Sequence, residues 1–493
     1  MKPLLKWGLF LYVLLIGWLN VRERVQMHPD EVYSVMLAQC NPAYCKGIEP
    51  GTYTGERLQR ELIAAHPVSE DIASLYADNR DVPHASLYYM TLRIVLGDTT
   101  RWDSVRIVRT GGLLNLFFLA VAYLMLWSLM SRLTRGSPWL TAACVAMAML
   151  GPGALECGAL LREYQLSMLG IIWYAYALFL LFEKPGMSGR QLCISGISLS
   201  FSAALCLSTG YLNSFCLLLL PLGCIAALLA GKAPRRHISR FTVTALSAGF
   251  CSLLIARVMY AGFFNFLTHG SVHKSRAFGS IDGVFDAAFV RDIVGEGFTL
   301  PLLIFLALLL AVGIYCRRAR FRDACRPSAE RNYMIVMLIC GALSIFAVQY
   351  CSLLRNARYS YPYLPLLCGV VPLCVSWMRG QWQILCSVMI LLYSMFSAAC
   401  FSPRSDYGWD NMKRLLNNGA TFHNLNPNEL PLLYPVLNPH AYYTVESDSS
   451  PLVYGAVPVI VHYAKPKEPP THRVIRLSGS LRLVKPCDKH KAE

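Results

Sequence analysis

Residues 4–31 read LLKWGLFLYVLLIGWLNVRERVQMHPDE, an apolar run that leads without a break to two adjacent carboxylates, Asp30 and Glu31. The apolar part is long enough to cross a bilayer core of roughly 30 Å. The N-terminal segment carries Lys2 and Lys6, as a signal peptide would, but no small-residue cleavage site follows, so we interpret it as a membrane span. The two acids, placed directly after the first span, are the leading candidates for catalytic carboxylates.

Similar apolar runs recur through most of the chain. Hydrophobic residues make up 55% of the sequence and charged residues only 15%. Runs of about 17 to 22 residues can each cross a membrane as a helix. The composition therefore predicts an all-α polytopic membrane protein with about eleven spans, near residues 4–20, 112–131, 137–152, 164–182, 191–208, 211–230, 241–262, 298–316, 333–350, 361–377 and 383–401.

The basic residues predict the orientation of these spans. Lys and Arg are enriched in cytoplasmic loops, and a cytoplasmic N-terminus places every second, basic loop inside, including those at 132–135, 184–190, 232–240 and 317–331. The formal net charge of +16 is then largely topogenic and does not support nucleic-acid binding. An odd number of spans leaves the C-terminal tail outside, and short cytoplasmic segments without a retention signal favour a bacterial inner membrane.

Two segments outside the predicted spans show regular patterning. The first outer loop, about residues 21–110, contains apolar faces at helical spacing over 31–39 and 84–96, which predict two interfacial helices, with a further helix near 56–65. The tail contains short aromatic and β-branched runs typical of strands, at 431–437, 441–445, 451–462 and 472–484. We therefore predict a transmembrane domain over 1–402 and a small α/β or β-rich extracytoplasmic domain over 403–493.

Most of the 18 cysteines lie inside apolar spans, where cysteine behaves as a small hydrophobic residue. Cys40 and Cys45 differ because they face the oxidising side, where they form either a disulfide or two free thiols. Their spacing does not match a zinc site. His28, Asp30 and His84 could meet at a divalent cation, but nothing in their spacing calls for one, so no cofactor is predicted.

Five segments on the predicted outer side match a known pattern in order. The Asp30-Glu31 pair follows the first span, and residues 81–89 read DVPHASLYY. The other three are Ser104–Ile107, Gly158–Leu166 and Arg358-Tyr359 with the prolines that follow. Together, over roughly residues 1–400, they resemble the GT-C superfamily of polytopic glycosyltransferases, in particular the branch with protein O-mannosyltransferases and the bacterial aminoarabinose transferase for lipid A.

The match over residues 81–89 is partial. Bacterial members of that branch carry Asp-x-His-Pro-Pro-Leu-Tyr-Tyr, of which this chain keeps His84, Leu87, Tyr88 and Tyr89. Both prolines are replaced, and the acidic residue lies one position further away. The C-terminal tail resembles no family.

The resemblance implies an integral membrane glycosyltransferase. Such an enzyme moves a sugar from a polyprenyl-phosphate donor to a hydroxyl of an envelope glycan, glycolipid or protein at the outer face of the membrane. Asp30 is the candidate general base, with Glu31 orienting the acceptor or a water. Pro29, Asp30 and Glu31 also suit the first turn of a helix, and the two interpretations are compatible.

The candidate substrate-binding residues are mainly cations and aromatics near outer span ends. Arg162 and Arg358 are candidates for binding the donor phosphate, because an isolated cation is costly at a membrane boundary. Pairing of Arg162 with Glu156 or Glu163 is the structural alternative. The remaining candidates are His84, Tyr88, Tyr164, Lys274 and Arg276, each with a structural alternative as a helix cap, an interfacial aromatic or a solvated basic loop.

Two other functions stay open. A transporter or flippase of lipid-linked sugars would carry its polar residues at mid-span, whereas ionisable residues here gather at outer boundaries. An O-antigen ligase or polymerase would place its key basic residues in a large late outer loop. In this chain the carboxylates and the longest patterned loop directly follow the first span, which favours the glycosyltransferase.

Overall fold

The structure is a computed structural model that describes residues 2–24, 26–39, 48–62, 66–77, 87–97, 104–264, 295, 299–316, 328–351, 356–378, 380–402, 409–423, 430–446, 459–462, 472–478 and 481–486. The chain divides into two compact units. The membrane unit comprises Met1–Glu23, Tyr76–Tyr88 and Gly112–Pro403, and the loop-tail unit comprises Arg24–Leu75, Tyr89–Gly111 and Arg404–Glu493.

The helices up to the middle of the chain are α1 (Lys2–Glu23), α2 (Pro29–Ala38), α3 (Gly55–Leu62), α4 (Val68–Ala77), α5 (Leu87–Leu96), α6 (Ser104–Leu133), α7 (Pro138–Met149), α8 (Pro152–Ala159), α9 (Tyr164–Glu183), α10 (Gly189–Thr209), α11 (Ser214–Ala230) and α12 (Arg235–Met259). They are followed by α13 (Leu300–Cys316), α14 (Ala329–Cys351), α15 (Leu364–Leu367), α16 (Val370–Val375), α17 (Gln381–Ala399) and α18 (Trp409–Leu416). Short 3-10 helices cover Tyr211–Asn213, Ala261–Phe264, Ala357–Tyr363 and Leu430–Val436.

The chain is a multi-pass membrane protein. Within the described residues, eight helices are long and apolar enough to cross a membrane, namely α1, α6, α9, α10, α11 together with the 3-10 helix Tyr211–Asn213 before it, α12, α14 and α17. The pair α7 and α8, bent by 55°, makes a ninth if it is counted as one span. Helices are expected because lipid offers no hydrogen-bond partner to the backbone.

Two of the later predicted spans do not form a long continuous helix in the structure. The run predicted at 298–316 forms α13, which has 17 residues and is shorter than the eight long spans. The run predicted at 361–377 is broken into the 3-10 helix Ala357–Tyr363, α15 and α16. Pro362, Pro365 and Pro372 explain the break, because proline has no N–H to continue a helical ladder.

In the loop-tail unit, the strands are β1 (Gly51–Thr54), β2 (Ala420–His423), β3 (Tyr442–Glu446), β4 (Val459–His462), β5 (His472–Ser478) and β6 (Leu481–Pro486). They form one sheet of order β1-β3-β2-β4-β6-β5, in which β2 is parallel to both of its neighbours and the other pairs are antiparallel. The strands expected in the tail are therefore present, with one exception. Residues 431–437, predicted as a strand, lie in a 3-10 helix, where Pro431 and Pro435 fit poorly with strand pairing.

The tail does not form this sheet alone. Strand β1 belongs to the first loop, and its Tyr53 pairs with Tyr443 of β3. The apolar face predicted on α2 is also covered by protein, since Val32, Val35 and Met36 are fully buried. Sequence patterning divides the chain at residue 402, whereas the compact units group the first loop with the tail.

A buried ion pair fastens α4 to α5 in the same unit. Arg93 Nε donates to Asp71 Oδ2 at 2.6 Å, and both side chains are 1% exposed. The other guanidinium nitrogens donate to the carbonyls of His66, at 2.7 Å, and Gly97. Burial raises the pKa of the Asp71 carboxyl, and the Arg93 guanidinium offsets part of that shift.

We expect Arg93→Ala to destabilise the loop-tail unit by about 3–5 kcal/mol, because the Asp71 carboxylate stays buried without its counter-charge. Thermal unfolding of the purified protein, followed by limited proteolysis of this unit, measures the loss. The variant should recover part of its stability as the pH falls, since an acid whose folded-state pKa is raised favours the folded state once protonated.

Arg60→Ala is the control, because Arg60 and Glu56 form an exposed pair at 2.5 Å with both side chains more than half exposed. The Arg60→Ala variant should change the free energy of unfolding by no more than about 0.5 kcal/mol. Equal losses in the two variants would show that the Arg93 pair contributes no more than a surface contact.

Candidate active site

The two candidate acids lie in the first turn of α2, in the loop-tail unit. Pro29 occupies the first helical position, and the Asp30 N–H donates to Nδ1 of the N-cap residue His28 at 3.0 Å. The His28 N–H donates in turn to Glu31 Oε2 at 2.6 Å. This reciprocal capping box satisfies amides that a helix start leaves open.

Glu31 is held from a second direction. Its two carboxylate oxygens accept from the two terminal nitrogens of Arg24, each at 2.5 Å, and neither side chain is more than 1% exposed. Arg24 also donates to the Gln26 carbonyl at 3.2 Å. A bidentate arginine–carboxylate pair is strong and geometrically specific. The Glu31 carboxylate is therefore part of the scaffold that fixes the start of α2.

Asp30 is placed differently from its neighbour. Its side chain is 23% exposed, and Oδ2 lies 3.7 Å from His28 Nδ1, which is equally exposed. The Asp30 carbonyl accepts from the Ser34 hydroxyl at 3.0 Å, as expected within a helix. Of the two adjacent acids, the Asp30 side chain is partly exposed, although its Oδ2 is buried, whereas the Glu31 side chain is fully buried.

The second group of candidates lies in the membrane unit, where the chain leaves α8 and enters α9. Residues 160–163 form a non-helical turn there. The Arg162 N–H donates to the Leu160 carbonyl at 2.8 Å. The Arg162 side chain is buried, and its Nε lies 3.8 Å from Glu163 Oε2, a longer contact than a charged hydrogen bond. The structural alternative for Arg162, pairing with Glu163, is therefore present as a long contact.

Arg358 lies at the start of the 3-10 helix Ala357–Tyr363. The Asn356 side chain caps this helix by accepting from the Arg358 N–H at 3.1 Å. Gln349, at the end of α14, donates to the Asn356 carbonyl at 2.8 Å and to the Ser360 hydroxyl at 2.7 Å. These bonds fix the backbone that carries Arg358, and its guanidinium lies 5.9 Å from the centre of the Tyr359 ring.

Arg162 and Arg358 both lie in the neighbourhood of Tyr164, the first residue of α9. The Tyr164 ring meets the Tyr359 ring edge to face at 6.1 Å. The charges of Arg162, Glu163 and Arg358 all act on the Tyr164 hydroxyl. The Tyr164 side chain is 3% exposed, and its hydroxyl has no hydrogen-bond partner within the described part of the chain. Two guanidinium groups, the Glu163 carboxylate and a buried hydroxyl therefore occupy one region of the membrane unit.

Tyr88 is linked through Asn115 to the turn at residues 160–163. It is fully buried, and its hydroxyl donates to Asn115 Oδ1 at 3.2 Å. Asn115 Nδ2 donates to the Leu160 carbonyl at 2.5 Å, the same carbonyl that accepts from Arg162. In the structure Tyr88 holds the turn that carries Arg162, and its predicted role in substrate binding stays a prediction.

Sequence reasoning missed Asn115, Gln349 and Asn213. Asn213 accepts from the Tyr363 hydroxyl at 2.8 Å and donates to the Cys206 carbonyl at 2.9 Å, and so ties the helix of Arg358 to α10. Each of these three amides is buried within an apolar segment. An uncharged polar residue in such a run is the signal that could have identified them.

Several predicted residues lie outside the described part of the chain: His84, Lys274, Arg276, Cys40 and Cys45. Over the ranges that the structure describes, no three His, Cys, Asp or Glu side chains converge as metal ligands. The residues that the structure brings together are therefore Arg162, Tyr164 and Arg358 in the membrane unit, and Asp30 with His28 in the loop-tail unit.

No protein-family model matches the sequence, and no curated protein matches it either. Solved structures do match. ArnT from Cupriavidus metallidurans bound to undecaprenyl phosphate superposes with a TM-score of 0.53 at 12% identity, over 97% of both chains, and its apo state with a TM-score of 0.52. The archaeal oligosaccharyltransferase AglB from Archaeoglobus fulgidus, in complex with an inhibitory peptide and a dolichol-phosphate, gives 0.51 at 13% identity.

The AglB match covers 91% of this chain and 61% of that chain. At identities this low the likeness concerns the fold and not the activity. ArnT and AglB are GT-C glycosyltransferases. The overall superposition agrees with the resemblance carried by the motifs, and the chain has the GT-C glycosyltransferase fold.

Proposed function

We propose that this protein is an integral membrane glycosyltransferase that moves a sugar from a polyprenyl-phosphate donor to a hydroxyl of an envelope glycan, glycolipid or protein, on the extracytoplasmic side. The observation that supports the proposal is that Arg162 and Arg358 both lie near enough to Tyr164 for their charges to act on its hydroxyl, which is buried and has no hydrogen-bond partner within the described residues. Arg162 is buried beside Glu163 and Arg358 is half-buried, and an anion bound near Tyr164 would be attracted by both guanidinium groups.

A lipid-linked phosphate fits this group chemically. Phosphate oxygens accept paired hydrogen bonds from guanidinium groups, and a tyrosine hydroxyl supplies a further donor. The structurally similar ArnT binds undecaprenyl phosphate, and AglB is in complex with a dolichol-phosphate. These ligands are known for those proteins and support the choice of a polyprenyl-phosphate donor here.

The proposed reaction is a single displacement at the sugar. The acceptor hydroxyl oxygen forms a bond to the anomeric carbon, and the bond between that carbon and the phosphate oxygen breaks. The phosphate leaves with the electron pair, where Arg162 and Arg358 stabilise the added charge. Asp30 takes the proton from the acceptor hydroxyl, a contribution typically of about 10² to 10⁴ in rate.

We assign different roles to the two adjacent acids. Asp30 is partly exposed and can exchange a proton with a substrate, whereas both Glu31 oxygens are engaged by Arg24 and the His28 backbone. Glu31 is therefore proposed as a positioning residue, in place of the direct role that the sequence suggested. Its carboxylate fixes the helix start on which Asp30 stands.

Asp30→Asn should preserve expression and membrane insertion while lowering sugar transfer by about a hundredfold or more, because the amide cannot take the acceptor proton. Mass spectrometry of envelope glycans and glycolipids measures this, with the variant expressed in a deletion strain. The same comparison of wild-type and deletion strains identifies the sugar and acceptor.

Glu31→Gln is the matched comparison. It weakens the Arg24 pair and the capping box, so we expect lower thermal stability with a smaller loss of transfer in the protein that remains folded. Normal transfer by Asp30→Asn would reject Asp30 as the base and leave it only its part in the helix start.

Arg162→Ala and Arg358→Ala should each weaken donor binding, and the lysine variants should recover only part of the loss, because lysine cannot reproduce a paired guanidinium contact. The measurement is the thermal stabilisation of purified protein by a polyprenyl phosphate. Arg135→Ala is the control, because Arg135 is exposed and pairs with Glu330 at 3.2 Å.

Unchanged stabilisation in both alanine variants would mean that the phosphate binds elsewhere. A flippase of lipid-linked sugars would also bind the phosphate, so binding alone does not separate it from a transferase. Donor binding without any transferred sugar in the envelope would favour the flippase.

The proposal also needs the outer face of the spans to be extracytoplasmic, as the basic loops predict. Alkaline phosphatase fused after Cys400 should be active, and the same enzyme fused within 317–332 should be inactive. The reverse pattern would place Asp30 in the cytoplasm and exclude the reaction as proposed.

A further inference from the structure

The membrane unit has a second basic feature, at the far end of α9 from Arg162. A small, open crevice lies where α9 ends, next to the start of α10 and the first turns of α12. Its polar lining is Lys184, His237 and Arg240, and its apolar walls include Leu181, Leu192 and Phe241. The 20 residues of α9 place it about 30 Å from the Arg162 turn.

We propose that this crevice binds the phosphate headgroup of an anionic phospholipid in the adjacent leaflet. The site is independent of the proposed glycosyl transfer and uses none of its residues. The basic loops predict this end of α9 to be cytoplasmic, and basic pockets between helices on that side are suited to anionic headgroups.

The base of the crevice is held in place by His237. Its Nε2 lies 3.1 Å from the Phe182 carbonyl, and because a carbonyl only accepts, Nε2 carries the hydrogen. The ring is buried, and the contact ties the start of α12 to the last turn of α9. The Phe182 and Phe241 rings meet edge to face at 6.5 Å beside it. Arg240 lies three residues after His237 and therefore on the same helix face.

Among the described residues, no carboxylate lines the crevice to neutralise its positive charges. The adjacent Glu183 pairs with Arg132 at 3.4 Å. Over the described ranges, neither Lys184 nor Arg240 has a carboxylate within ion-pair distance. Two cations beside an apolar wall at a membrane boundary favour a ligand with an anionic end and an apolar body.

The surface next to the crevice favours a lipid over free phosphate. Only 22% of the most apolar stretch of α12 is buried by the rest of the protein. Val243, Leu246 and Phe250 follow Arg240 at spacings of three and four residues, and each is at least 60% exposed. Acyl chains can lie along this row while the phosphate meets Lys184 and Arg240. An anionic headgroup is preferred because a choline or ethanolamine group would bring a further positive charge.

The test compares two double variants of the full-length protein. Lys184→Gln with Arg240→Gln removes two charges that line the crevice. Arg235→Gln with Arg236→Gln removes the same charge from exposed positions at the start of the same helix, outside the lining. Phosphatidylglycerol, phosphatidylcholine and inorganic phosphate are each titrated into purified protein, and the retained lipid is counted by native mass spectrometry.

We expect wild-type protein and the Arg235, Arg236 variant to retain phosphatidylglycerol in preference to phosphatidylcholine. The Lys184, Arg240 variant should bind phosphatidylglycerol about thirtyfold more weakly. Leu192→Trp, which leaves every charge in place and narrows the crevice, should also lose lipid. That variant keeps the test valid if removing both charges prevents folding.

Three results would overturn the proposal. Equal losses in the two double variants would indicate a general attraction of basic loops to the bilayer. Displacement of phosphatidylglycerol by inorganic phosphate at similar concentration would identify a phosphate site and not a lipid site. Unchanged lipid retention in Leu192→Trp together with unchanged retention in the Lys184, Arg240 variant would place the lipid elsewhere.

Discussion

Polar groups buried among apolar helices need hydrogen-bond partners, and that requirement governs where this protein can carry charge. The helices break at residues 160–163 and again in the 3-10 helix Ala357–Tyr363. At each break a buried amide meets the open backbone, Asn115 at the Leu160 carbonyl and Gln349 at the Asn356 carbonyl. Without such a partner, an unsatisfied carbonyl in a membrane interior costs several kcal/mol, and the break in the helix would be unfavourable by about that amount.

The breaks determine the position of the cations. Arg162 and Arg358 both stand at interruptions, not within regular helices, and each backbone is fixed by the amide next to it. Their separate segments place two guanidinium groups in the neighbourhood of one buried tyrosine hydroxyl. We propose that an anion binds there, because both cations would attract it.

The requirement that buried polar groups have hydrogen-bond partners also distinguishes Asp30 from Glu31. One residue of helical rotation turns Glu31 inward, towards Arg24 and the His28 amide, and leaves Asp30 at the surface. Helix capping and catalysis were compatible interpretations of this pair. The structure shows the Glu31 carboxylate in the cap and in the Arg24 pair, and the catalytic role of Asp30 stays a proposal. The buried Arg24–Glu31 contact fixes the helix start, and a fixed position would suit a general base.

Hydropathy, capping and the order of motifs were enough to predict the GT-C fold, most of the spans and the helix beginning at Pro29. They depend on residues near one another in the chain, because a span or a cap is formed within about twenty residues. The prediction of a continuous span at 361–377 was wrong. The cause of the break is also local, because the prolines that interrupt the helix are visible in the sequence.

Contacts between residues far apart in the chain could not be predicted from such local patterns. Arg162 and Arg358 are far apart in sequence, and only the packing of α9 against the 3-10 helix brings them to Tyr164. Strand β1 of the first loop pairs with β3 of the tail, and Tyr88 turns inward to Asn115, contacts that hydropathy does not encode. The sequence by itself determined which segments are apolar and where helices begin. The tertiary structure decided which polar side chains meet, because that depends on the packing of segments that no local pattern records.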